Sequence, residues 1–113
     1  MTNDCIFCRI AAGEIPATIV AENDQAIAFR DLHPQAPVHV LVIPRRHVRS
    51  LDAADDVGEL GAVMQLAAAV ARQEGIADTG YRVVGNTGDD GGQTVHHLHM
   101  HVLGGRAMSW PPG

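Results

Sequence analysis

A chain of 113 residues suits one domain around one hydrophobic core, and 46% apolar with 19% charged residues argues against disorder. Eight basic against thirteen acidic side chains, a net charge of −5, argue against a nucleic-acid partner held by phosphate neutralisation, so none is expected. A single small anion stays open, because a few backbone amides are enough to hold one.

The first landmarks are Cys5 and Cys8, the only cysteines, in C-x-x-C spacing. No apolar run nears the roughly 20 residues that cross a bilayer, so no membrane partner is expected. The N-terminal stretch lacks a basic segment leading into an apolar one, which makes a cytoplasmic location the expectation. A structural disulfide is not expected in a reducing cytosol. As metal ligands the pair supplies two of the four that zinc takes, so two more must come from elsewhere.

Residues 5–12 suit a short helix ending near Gly13, with Pro16 at its exit. Thr18 to Ala21 and Ala26 to Arg30 read as strands joined through the polar turn Glu22-Asn23-Asp24. Pro34 and Pro37 interrupt the next stretch, and Val38 to Ile43 is a β-prone run closed by Pro44. The basic run Arg45-Arg46-His47-Val48-Arg49 reads as a solvated surface corner. Asp56 with Glu59 three positions on resembles a capping box. Behind it Val57, Leu60, Met64, Ala67 and Ala71 recur at helical spacing, flanked by Val63, Leu66 and Val70, before Gly75 ends the helix. This stripe should pack on a sheet, with Met64 in the core. Tyr81 to Asn86 reads as a strand, 87–92 as a glycine-rich loop, and His97 to Leu103 as a last strand. There are no repeats or linkers, so residues 1–113 form one undivided domain. The order predicts an α+β fold: an antiparallel sheet with one long helix on a face and a short N-terminal helix.

Four of the seven histidines fall between positions 96 and 101. On a strand His97, His99 and His101 would share one face, while Leu98, Met100 and Val102 bury on the other. Imidazole serves as nucleophile, as general acid or base, or as metal ligand. The bland alternative is a polar, solvated face; a metal centre made by three histidines of one strand is awkward, because alternate side chains run parallel. Gly88, Gly91 and Gly92 permit close backbone approach and positive φ, so the loop before the row reads as a phosphate cradle, with Gln93 and Thr94 adding donors.

The run His97-Leu98-His99-Met100-His101-Val102-Leu103 resembles the His-x-His-x-His-x-x signature of the histidine triad (HIT) superfamily. Ile15-Pro16-Ala17, Ala28-Phe29-Arg30-Asp31, Pro34 to His39, Val42-Ile43-Pro44, Gly91-Gly92-Gln93 and Gly104 to Gly113 resemble its Hint branch. The terminal Trp110-Pro111-Pro112-Gly113 sets that branch apart from the Fhit branch. The resemblance implies a homodimer of HIT-like folds that binds an AMP- or GMP-type purine nucleotide. It also implies hydrolysis of the P–N bond of purine nucleoside 5′-monophosphoramidates through a nucleotidyl-histidine. His99 would be the nucleophile, His101 would bind phosphate oxygens, His97 would support the site, and Thr94 would contact the leaving group. Asn86, Gly92 and Gln93 would contact phosphate and ribose, and Asp31 the ribose hydroxyls. Phe29, Leu32, Ile43 and His39 would line the base pocket, and Trp110 would reach toward the partner subunit's site. His33 is expected at the surface, and His96, where an aromatic is common, receives no catalytic role. No divalent metal is needed for the chemistry if a protonated imidazole supplies the positive charge.

Some bacterial members hold a structural zinc, and Cys5, Cys8, His47 and His97 match its four ligands. Two other readings compete: a dinucleoside polyphosphate hydrolase or nucleotidyl transferase on the same triad, and a nucleotide-binding regulatory protein with vestigial activity.

Overall fold

A computed structural model describes residues 4–113; residues 1–3, part of the stretch read for a leader, lie outside the described residues. In chain order the elements are α1 (Ile6–Ala11), β1 (Ile19–Glu22), β2 (Ala26–Arg30), β3 (Val38–Pro44), a 3-10 turn (Leu51–Ala53), α2 (Val57–Gln73), β4 (Tyr81–Gly85) and β5 (Met100–Gly104). The strands form one sheet in the order β1-β2-β3-β5-β4, antiparallel at every pairing. The expected α+β architecture is the one found. No helix among the described residues is long and apolar enough to cross a membrane.

β3 lies at the centre of the sheet and is buried from His39 to Pro44. Its unbroken Val-His-Val-Leu-Val-Ile run is explained by burial on both faces. On one face α2 covers Ala28, Val40, Val42, Met100 and Val102; on the other α1 brings Phe7 and Ile10 against Ile27, Phe29, Leu41 and Ile43. Burial of these side chains at about 25 cal/mol per Å² is the main force clamping both helices to the sheet.

The buried stripe of α2 is Val63, Leu66, Ala67, Val70 and Ala71. Met64 is 42% exposed and Val57 88%, so neither is core: both sit off the stripe that faces the sheet. Asp56 caps the helix through the Glu59 amide at 3.0 Å, but Glu59 does not complete the box. Its carboxylate is taken by Arg46, which donates from Nε at 3.1 Å and from Nη2 at 2.8 Å. The basic run is exposed at Arg46, His47 and Arg49, as a surface corner would be, but it is also tied to the body. Arg45 pairs with Glu22, Arg46 is tied to α2, and Val48 is buried in the core.

β5 begins at Met100, three residues later than the histidine pattern suggests. The Leu98 amide bonds the Val48 carbonyl at 2.6 Å, outside the regular ladder. This frees His97 to turn toward the N-terminal helix. The alternation itself survives, because Leu98, Met100 and Val102 all enter the core beneath α2.

Candidate active site and metal centre

α1 starts at Cys5, whose sulfur caps the helix by accepting from the Cys8 amide at 3.4 Å. One turn separates the two thiols, so both face the 44–49 segment and His97. Cys5 Sγ lies 3.3 Å from His97 Nδ1, and Cys8 Sγ lies 3.4 Å from that atom and 3.3 Å from His47 Nδ1. Tetrahedral zinc with bonds of about 2.3 Å to sulfur and 2.0–2.1 Å to nitrogen puts such ligand atoms roughly 3.5 Å apart. The three separations above are already close to that value, and all four donor atoms lie within 4.8 Å of one another. The far side of His97 completes the fit: Nε2 can only donate to the Pro44 carbonyl at 2.9 Å, which leaves Nδ1 as the lone-pair nitrogen facing the sulfurs. His97 is fully buried, and burial lowers its pKa, which favours the neutral imidazole a metal requires. All four residues predicted as ligands are brought together.

His99 is fixed by its own chain. Its Nδ1–H donates to the His97 carbonyl at 2.7 Å, which leaves Nε2 carrying the lone pair. Phe7 stands edge-on to this ring, with centroids 5.1 Å apart and planes 84° apart. His99 and His101 border a cavity of about 290 Å³, large enough to hold a substantial part of a nucleotide.

A chain of hydrogen bonds sets the proton on His101. The Gln35 amide donates to His39 Nδ1 at 3.0 Å, so neutral His39 carries its proton on Nε2. That Nε2–H donates to His101 Nδ1 at 2.9 Å, with an Asp31 carboxylate oxygen 3.4 Å away. His101 then carries its own proton on Nε2. Burial, with the neighbouring His99 and His39 adding to it, pushes the His101 pKa down to about 4; burial also lowers that of His39. Near pH 7 in the free protein His101 is therefore a neutral donor.

Between about pH 6.5 and 4 an unfolded chain protonates this residue while the folded protein does not, so stability falls as pH falls through that window. His101→Asn is expected to flatten the fall in urea midpoint between pH 7 and 4.5, measured against the unmutated protein.

Of the residues expected to bind nucleotide, Asp31, Leu32, Phe29 and Thr94 line the cavity. Leu32 is 89% exposed at its rim, where it is free to meet a ligand. Ile43 is fully buried in the core behind the wall, and His39 lies beneath His101 rather than on the lining. Trp110 is exposed and not on the lining; Arg82 of β4 lies over its ring at 5.9 Å. The exposed His33 joins the lining, as do Ile6, Phe7 and Ile10 of α1, which the sequence pattern alone did not single out. Their apolar spacing along residues 6–10 was the available signal.

The glycine-rich loop turns its donors on itself. The Gly88 amide bonds Gln93 Oε1 at 3.0 Å, the Gly92 amide the Asp89 carbonyl at 3.0 Å, and the Gln93 amide the Gly88 carbonyl at 3.0 Å. Buried Gln93 also donates to the carbonyls of Arg49 and Val95, so its side chain staples the loop to the body. Gly88 and Gly92 have φ near +74° and +81°, and a Cβ on Gly91 would meet the Thr87 carbonyl, which explains the glycines without a ligand. These bonds make the segment a tight loop leading into Thr94. Asn86, Gly92 and Gln93 are not on the cavity wall.

The chain is similar to known proteins along nearly its whole length. The profile of the HIT domain matches residues 12–108. An uncharacterised HIT-like protein of Synechococcus elongatus is 52% identical over the whole of both chains. A 14 kDa zinc-binding protein of Brassica juncea is 47% identical, covering 97% of this chain and all of its own. The crystal structure of a HIT family hydrolase from Legionella pneumophila superposes with a TM-score of 0.94 at 47% identity, over 97% of this chain and all of that one.

Proposed function

The chain belongs to the HIT domain family, and we propose that it hydrolyses purine nucleoside 5′-monophosphoramidates through a nucleotidyl-histidine on His99. The observation that carries this reading is the bond from His99 Nδ1–H to the His97 carbonyl, which presents Nε2 as a pre-oriented nucleophile at the cavity edge. A P–Nε2 bond forms as the substrate P–N bond breaks; the departing nitrogen keeps the bonding electron pair and takes up a proton. Water then attacks the phosphorus, returns the imidazole and releases the monophosphate. His101 donates its Nε2–H to a phosphoryl oxygen, a neutral hydrogen bond whose direction is set by His39 and the Gln35 amide. Asp31 accepts from ribose hydroxyls, Leu32 and Phe29 flank the base, and Thr94 meets the leaving group.

Cys5, Cys8, His47 and His97 hold a structural zinc in this reading. Bound there, the metal ties α1 to the 44–49 segment and holds the His97 backbone whose carbonyl orients the nucleophile. A cytoplasmic setting keeps both thiols reduced for it. We also infer a homodimer, with edge strand β4 and the adjoining Trp110 segment as the facing surface, measurable by light scattering. In steady-state assays adenosine 5′-phosphoramidate should be turned over with kcat/KM at least about a hundredfold above that for diadenosine polyphosphate. The reverse order favours the polyphosphate hydrolase, and turnover of neither favours a binding protein.

A further inference from the structure

A second, open cleft of about 420 Å³ adjoins the nucleotide cavity at Thr94. Thr94, Val95 and Ile6 line both, so the two meet at the residue assigned to the leaving group. A nucleotidyl transfer splits its substrate at the phosphorus, and the two halves need separate places. The first cavity is mostly apolar and carries Asp31, which suits a nucleoside; the second carries Arg49, His47 and His96.

Arg49 stands apart from most arginines in the chain. Arg9, Arg30, Arg45 and Arg46 are paired with carboxylates, and Arg82 and Arg106 donate to backbone carbonyls. The Arg49 guanidinium makes no hydrogen bond or ion pair among the described residues. Asp4 lines the same cleft without forming an ion pair with it, so the guanidinium keeps its donors for a ligand. Its backbone is held in place, because the Arg49 carbonyl accepts from buried Gln93 at 2.8 Å, next to Thr94. A guanidinium presents several donors in a plane suited to a carboxylate.

We propose that this cleft is the leaving-group subsite and that Arg49 selects amines bearing a carboxylate, the phosphoramidates of amino acids with a free acid group. The proposal rests on the P–N hydrolase reading above. Its test compares adenosine 5′-phosphoramidates of β-alanine and of β-alaninamide, which differ in one terminal charge. The unmutated protein is expected to favour the acid roughly tenfold or more in kcat/KM, and Arg49→Gln to bring the ratio close to one. Because each protein serves as its own reference, partial loss of folded material does not move the ratio. A ratio of one or less in the unmutated protein, or an undiminished preference in the variant, overturns the subsite while the hydrolase reading stands. Turnover of neither compound, nor of unsubstituted phosphoramidate, overturns both.

Discussion

Replacing His99 by asparagine is expected to lower kcat for phosphoramidate hydrolysis by at least about 10⁴-fold, the scale of losing a covalent nucleophile. Asparagine keeps a short side-chain N–H that can donate to the His97 carbonyl, so the local backbone has a substitute for the bond His99 makes at 2.7 Å. The substitution removes the Nε2 lone pair and little else. Nucleotide affinity, measured by calorimetry with the nucleoside monophosphate, should change by less than about tenfold, because Asp31, Leu32 and Phe29 keep their places. A variant retaining a tenth of the activity would mean that another group attacks the phosphorus.

The second large effect concerns the metal. Cys8→Ser is expected to abolish stoichiometric zinc in the purified protein and to lower the thermal midpoint by roughly 10–20 °C, equivalent to about 3–5 kcal/mol. Cys8 is the residue that touches both histidines of the cluster, at 3.3 and 3.4 Å. Without it α1 loses its tie to the 44–49 segment, and α1 supplies Phe7, the ring packed edge-on against both His97 and His99. Activity should therefore fall with zinc content, and chelation of the unmutated protein should reproduce both losses. Full zinc in Cys8→Ser by metal analysis would contradict the four-ligand assignment.

The order of elements was legible because local signals agree with one another. The Val38–Pro44 run, the capped helix behind Asp56, and the alternation of Leu98, Met100 and Val102 each read the same way in sequence and in structure. Cys5, Cys8, His47 and His97 were legible as a set only through family resemblance, since nothing in the spacing from 8 to 47 to 97 implies that they meet. Three features lay beyond sequence because they depend on which partner wins. Glu59 had a local partner in its own cap but is drawn to Arg46, thirteen residues away. Gln93 had donors to offer a phosphate but spends them on Arg49 and Val95 carbonyls. His101 has an ordinary imidazole in sequence, and only its burial beside two other imidazoles drops its pKa to about 4. The late start of β5 has the same origin: His97 must reach two thiols and the Pro44 carbonyl, and a regular pleat does not aim it there.

Whether His99 Nε2 bonds to the phosphorus is tested most directly by trapping the covalent species. Turnover of adenosine 5′-phosphoramidate is stopped by a rapid denaturing quench that spares the P–N bond, and the peptides are mapped by mass spectrometry. The expected result is a nucleotidyl group on His99 within the 97–101 peptide, present during turnover and absent from His99→Asn. An adduct on His101, His97 or any other residue, or turnover with no adduct in a quench faster than kcat, would contradict a His99 nucleophile.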